Sequence, residues 1–138
     1  MAAELENKTV LIAEDEPALL AALSEKFTRA GFSVHQAKNG KKALALALAK
    51  HPDIILLDLL MPVMDGMSMM KELRKEGTYG KSVPIIILTN IAPDDKIMRG
   101  VVEDEPAFYL LKTDWNIDDV VTKGATLQLK ATGTFSAS

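Results

Sequence analysis

The sequence predicts an α/β domain, one parallel sheet wrapped by helices on both faces. Three observations carry that expectation. Short apolar runs of strand length alternate with longer amphipathic stretches. The run Asp53 to Leu57 (DIILL) is apolar at every position after its first, as a strand buried on both faces requires. The chain has 138 residues, 48% hydrophobic and 25% charged, enough for one sizeable core and not for two.

The elements follow in order. Thr9 to Ala13 (TVLIA) reads as the first strand. Pro17 stands where a helix begins, behind acids, and Leu20, Leu23, Phe27 and Ala30 form its inner stripe at spacings of three and four. Gly31 is placed to cap it. Phe32 to Ala37 is the second strand, Asn39-Gly40 a turn, and Lys41 to Lys50 a helix of high propensity that Pro52 stops. Asp53 to Leu57, the third strand, ends at Asp58. Leu59 to Gly66 is a loop holding Pro62 and the Asp65-Gly66 turn. Met67 to Glu76 is a helix with Met70 and Leu73 inward, and Gly77 to Val83 is a connection. Pro84 to Leu88 is the fourth strand, ending at Thr89. A helix over Pro93 to about Val102 is weakened by Gly100. Ala107 to Leu111 is the fifth strand, ending at Lys112. Asn116 then caps a last helix, with Asp118 and Asp119 in its first turn.

The pattern changes after that. Gly124 interrupts the face made by Ile117, Val120 and Val121, and Leu127 and Leu129 fall at period two. The last helix is therefore expected to be short. Ala125 to Ala131 is expected to stay disordered or to pair on a sheet edge, and pairing between molecules would give a homodimer. Residues 1–7 then form an N-terminal extension, 8–123 the domain, and 124–138 an atypical tail.

Composition excludes several functions. Sixteen basic against 19 acidic residues leave a net charge of −3, unsuited to gripping nucleic acid. The absence of cysteine removes disulfides, thiolate zinc sites and a cysteine nucleophile. With only His35 and His51, a multi-histidine metal site is also excluded. The longest apolar runs are too short to span a membrane, and the first eight residues lack the features of a signal peptide. The expectation is a soluble cytoplasmic domain, with no room in its tail for a DNA-binding output domain.

In a doubly wound sheet the site lies beyond the carboxyl ends of the strands. The first strand ends in Glu14-Asp15-Glu16, the third in Asp58, the fourth in Thr89 and the fifth in Lys112. Each residue alone has an ordinary explanation as a cap, a turn or a solvated charge. All four strand ends together do not. Crowded carboxylates stay ionised only beside a compensating cation. Oxygen ligands without histidine or cysteine favour Mg²⁺. A lysine suits a phosphoryl oxygen, and a threonine supplies a rotatable donor. The set reads as a phosphoryl-transfer site with a carboxylate nucleophile. Asp58 fits the nucleophile because it ends the most buried strand alone. Glu14 and Asp15 fit the metal because they are adjacent.

The segments VLIAEDEP (Val10 to Pro17), DIILLDLLMPVMDG (Asp53 to Gly66), PIIILT (Pro84 to Thr89) and YLLK (Tyr109 to Lys112) resemble the receiver domain of bacterial two-component response regulators. The resemblance covers roughly residues 8 to 123. It implies a flavodoxin-like fold with strand order 2-1-3-4-5 and a phosphoryl group accepted from a sensor histidine kinase or phosphotransfer protein, with Mg²⁺ bound. It further implies that Asp58 is the phosphoacceptor and that Glu14, Asp15 and the Leu60 carbonyl join it around the metal. Thr89 then corresponds to the switch hydroxyl, Lys112 to the phosphate-binding lysine and Tyr109 to the aromatic that follows the hydroxyl inward. Leu60 and Ile91 stand where side chains line the approach of hydrolytic water. Neither can hold a water, so the resemblance implies slow self-dephosphorylation. The chain departs from the family pattern at Thr113, where proline usually follows the lysine, and at Glu105-Pro106, where a glycine usually enters the fifth strand.

The leading expectation is a stand-alone receiver, a signalling domain and not an enzyme, acting on a downstream protein partner. An alternative is a scaffold module that keeps the fold without switching; the shortened last helix favours it. A haloacid-dehalogenase-type hydrolase ranks low, because Leu60 occupies the place of its second aspartate.

Overall fold

The computed structural model describes residues 7–131 and forms a five-stranded parallel sheet in the order β2-β1-β3-β4-β5. The strands are β1 (Thr9–Ala13), β2 (Ser33–Ala37), β3 (Ile54–Leu57), β4 (Ile85–Thr89) and β5 (Phe108–Leu111). Between them run α1 (Pro17–Arg29), α2 (Gly40–Lys50), α3 (Gly66–Arg74), α4 (Gly77–Ser82) and α5 (Asp95–Asp104), and α6 (Ile117–Ala131) follows the last strand. The expected flavodoxin-like fold and strand order are both present.

Alternation along the strands builds two cores. Val10, Ile12, Ile54, Leu56, Ile86, Leu88 and Leu110 face one side, against Leu23 and Phe27 of α1 and Val120 and Ala125 of α6. Leu11, Ala13, Ile55, Leu57, Ile85 and Ile87 face the other, against Ala43 and Ala47 of α2 and Met69, Met70 and Leu73 of α3. Every residue of β3 and β4 is buried, because both faces of the central strands are covered. Burying one such aliphatic side chain is worth about 1.5–3 kcal/mol, so these strands supply much of the cohesion.

Helix starts follow local chemistry. The side chains of Asn39, Asp65, Asp94 and Asn116 accept N–H bonds from the first turns of α2, α3, α5 and α6. Pro17 sits in the first turn of α1, as expected. The expected connection over Gly77 to Val83 contains the short helix α4. Its Tyr79 donates to the Pro52 carbonyl at 2.6 Å and stacks on His51, with ring centroids 4.1 Å apart. Arg74 holds the neighbouring turns by donating to the carbonyls of Gly80, Val83, Asp104 and Glu105.

The last helix corrects the expectation. It is not short, and Ala125 to Ala131 belongs to it: α6 runs 15 residues, through Gly124 to Ala131. Its buried stripe is Val120, Val121, Gly124, Ala125, Gln128 and Leu129, a period of 3.6 that Leu127 and Leu129 alone conceal. Gly124 permits close packing here. A Cβ on it would lie 3.0 Å from Phe27 Cε1 and 3.7 Å from Ile54 Cδ1. Gln128, 2% exposed, donates to the Asp53 carbonyl at 2.9 Å and fastens the last turns to the start of β3. The edge strand over Ala125 to Ala131, and the dimer drawn from it, lose their basis. The remainder of the expected tail, residues 132–138, and residues 1–6 of the expected extension lie outside the described residues.

Candidate functional site

Backbone pairing continues one residue past the strands and fixes the site. The Glu14 N–H donates to the Ala37 carbonyl at 2.9 Å, the Asp58 N–H to Ala13 at 3.0 Å and the Lys112 N–H to Thr89 at 2.8 Å. Three candidate site side chains therefore start from rigid sheet positions. Thr89, the fourth, is the last residue of β4, fully buried and in register with Leu111. The loop after Asp58 is drawn in tightly. The Gly66 N–H donates to the Leu59 carbonyl, and a Cβ on Gly66 would collide with the Asp58 carbonyl oxygen. The expected Asp65-Gly66 turn thus owes its glycine to close backbone approach.

The side chains converge. Lys112 Nζ lies 2.8 Å from Glu14 Oε1 and 2.9 Å from Asp58 Oδ2, with Glu16 Oε2 at 4.0 Å. Asp58 Oδ1 accepts the Leu60 N–H at 3.2 Å, and Glu14 Oε2 accepts the Glu16 N–H at 3.0 Å. Glu14 and Asp58 are only 2% and 4% exposed, whereas Asp15 is open to solvent. Burial pushes the Glu14 carboxyl above its usual range, and the Lys112 bond only partly offsets that. For Lys112, burial works against the charge, but its bonds to Glu14 and Asp58 outweigh it and raise the pKa. The pair of buried acids is held together by one shared ammonium.

One carboxylate oxygen from each of Glu14, Asp15 and Asp58 lies within 4.8 Å of the others. This all-oxygen set, with Asp15 facing water, fits a hard divalent cation that keeps part of its hydration shell, as Mg²⁺ does. The structure thus brings together Glu14, Asp15, Asp58 and Lys112. It places Leu60 beside them through its backbone, with its side chain 58% exposed. The Thr89 hydroxyl accepts the Ile91 N–H at 3.4 Å, and the Tyr109 hydroxyl donates to the Ile91 carbonyl at 2.7 Å. Tyr109 is thereby tied to the stretch after Thr89, and burial raises its pKa. Among the described residues no peptide bond is cis, including the one joining Lys112 to Thr113. Glu16 had no role in the sequence reading; its position two residues after Glu14, on the same acidic turn, is the signal that could have found it.

A five-stranded doubly wound parallel sheet thus carries an acidic pocket and a lysine at its carboxyl edge. A family model for the response regulator receiver domain matches residues 10–124. The chain belongs to this family. The chain is 41% identical over 83 residues to the regulatory protein AtoC of Escherichia coli, covering 60% of this chain and 17% of AtoC. It spans well under half the length of the curated relatives it matches. It superposes on a Francisella response regulator receiver domain with a TM-score of 0.79 at 30% identity, covering 91% of this chain and 99% of the other. The receiver domain of a Pseudomonas aeruginosa sensor histidine kinase, described with magnesium in its active site cleft, gives a TM-score of 0.74 at 25% identity, covering 91% and 98%. Among the described residues no helix is long and apolar enough to cross a membrane.

Proposed function

We propose that this receiver domain accepts a phosphoryl group on Asp58 from a sensor histidine kinase or phosphotransfer protein, in a Mg²⁺-dependent reaction, and signals through protein contacts that depend on that phosphorylation. The observation that carries the reading is the Lys112 ammonium seated between Glu14 and Asp58.

Asp58 supplies the attacking carboxylate oxygen. Its Oδ1 is oriented by the Leu60 N–H and its Oδ2 by Lys112, so the nucleophile is positioned before a donor arrives. Glu14, Asp15, Asp58 and the Leu60 carbonyl would hold Mg²⁺, whose contribution is to neutralise charge on the phosphoryl oxygens. Lys112 is placed to follow the transferred group, exchanging its Asp58 bond for a phosphoryl oxygen. Aspartyl phosphate brings extra negative charge and three acceptor oxygens. Thr89 is the hydroxyl that can turn toward them. Tyr109 senses that movement through Ile91, whose backbone bonds both side chains. Interactions made only in the phosphorylated state are what can shift the equilibrium between two conformations. The reading keeps the cytoplasmic setting expected from the sequence, with a downstream protein as partner.

The scaffold alternative rested on an abbreviated last helix, and α6 has 15 residues. The test is phosphate incorporation from acetyl phosphate, followed by mass spectrometry in wild type and Asp58→Ala, with and without Mg²⁺. Incorporation in wild type alone, and only with the metal, is expected. Equal incorporation in both proteins overturns the proposal.

A further inference from the structure

Among the described residues, one buried side-chain polar atom lacks a hydrogen-bond partner: Asp104 Oδ2. Asp104 is only 7% exposed and sits in the last turn of α5, before β5. This is the amino edge of the sheet, opposite the pocket around Asp58. Arg74 is a neighbour, but its N–H groups are directed to the carbonyls of Gly80, Val83, Asp104 and Glu105 and not to the carboxylate. Asp104 lines an open depression of about 270 Å³ together with Arg74, Lys81, Glu103 and Glu105. A buried carboxylate without a donor is costly, so the arrangement calls for a donor from outside the chain. A water can supply one bond, but the surroundings favour a cation. Two basic and three acidic side chains leave the lining with a net negative charge. The carboxyl end of α5 adds partial negative charge, and no basic residue stands in its last turn to offset it. Glu103 is paired with Lys71 at 3.5 Å, whereas the Glu105 carboxylate makes no hydrogen bond or ion pair with the described residues.

We infer that this depression binds a short aliphatic diamine, with one ammonium bonded to Asp104 and the other paired with Glu105. A metal ion fits poorly: among the described residues only Glu14, Asp15 and Asp58 bring three carboxylate oxygens within 4.8 Å of one another. A cation with a charge at each end does not need such convergence. A compact ammonium also suits a carboxylate that is nearly closed off from solvent better than a broad planar guanidinium does. The site is separate from the one around Asp58, and the inference does not depend on phosphoryl transfer.

The probe is 1,4-diaminobutane, titrated into the full chain and followed by amide chemical shifts and calorimetry, with Mg²⁺ in excess to compete for the pocket around Asp58. Saturable shifts are expected at the amides of Lys81, Glu103, Asp104 and Glu105. Asp104→Asn is expected to weaken binding roughly tenfold or more, as loss of a bond to a charged group does. Glu105→Gln, at an exposed position, removes one ion pair and is expected to weaken it roughly threefold. Replacing the diamine by 1-aminobutane removes the same pair and should cost wild type a similar factor. Should Asp104→Asn not fold, Glu105→Gln still decides: its preference for the diamine over the monoamine is expected to vanish, and a preference that persists overturns the inference. Shifts that never saturate, shifts confined to Glu14, Asp15 and Asp58, or equal affinity in wild type and both variants also overturn it, and leave Asp104 satisfied by water only.

Discussion

Replacing Gly124 by alanine should destabilise the domain, although alanine is the better helix former. In a helix interior the exchange is worth about 1 kcal/mol in alanine's favour on propensity alone. Against it stands Phe27. The new Cβ would sit 3.0 Å from Cε1 and 3.3 Å from Cζ of that ring. Phe27 is fully buried and held edge-to-face against Phe32, with centroids 5.2 Å apart and planes at 84°. It has no free side toward which to move. Overpacking of this kind costs about 1–3 kcal/mol, so the net expected loss is about 1 kcal/mol. The cause can be isolated. In a Phe27→Leu background the obstructing ring atoms are gone, and Gly124→Ala should become neutral or stabilising by up to about 1 kcal/mol. The coupling between the two sites is then about 1–2 kcal/mol. Urea unfolding of the four proteins measures it through the midpoints at constant slope. The same effect of alanine in both backgrounds would refute the reasoning, as would stabilisation in wild type.

Two further outcomes concern the pocket. Lys112→Ala leaves Glu14 and Asp58 buried beside each other without their cation, and should cost about 3–5 kcal/mol at pH 7.5 without metal. The Glu14 carboxyl, pushed up by burial and deprived of the lysine bond that lowers it, then takes up its proton more readily folded than unfolded, so the variant's stability should recover as the pH falls from 7.5 toward 5; a urea midpoint flat across that range contradicts this. In wild type, the raised Lys112 pKa gives a contribution that is complete below 10.5 and lost as the pH rises through the folded value; Lys112→Ala should lack that alkaline loss. Phosphorylated protein should decay slowly, because Leu60 and Ile91 cannot orient a water, and Leu60→Asn or Ile91→Glu should speed decay roughly tenfold. A wild-type lifetime of seconds, untouched by either change, would show that another group places the water.

Strand identity and the site were the most legible parts of the sequence. Apolar runs such as Ile54 to Leu57 admit few alternatives, and each ends at a polar residue that ladder bonds then hold in place. Glu14, Asp15, Asp58 and Lys112 could be grouped because strand ends of a parallel sheet share one rim. Their roles nevertheless remain part of the proposal. The last helix was misread for a physical reason. Its inner stripe includes a glycine and a glutamine, Gly124 and Gln128, which no hydrophobicity pattern marks as core. Gly124 was weighed as a breaker, whereas its lack of a side chain is what Phe27 requires. The missed helix α4 and the Arg74 clasp depend on distant backbone carbonyls, which leave no local trace.

The central claim is that Asp58, and no other carboxylate of the crowded pocket, takes the phosphoryl group. Borohydride reduces an aspartyl phosphate to homoserine, marking the modified residue permanently. Wild-type protein treated with acetyl phosphate and Mg²⁺, reduced and peptide-mapped, should carry homoserine at position 58 and show no reduced product at Glu14 or Asp15. Homoserine at position 15, a reduced product at position 14, or none at position 58 under saturating donor and metal, would contradict the account.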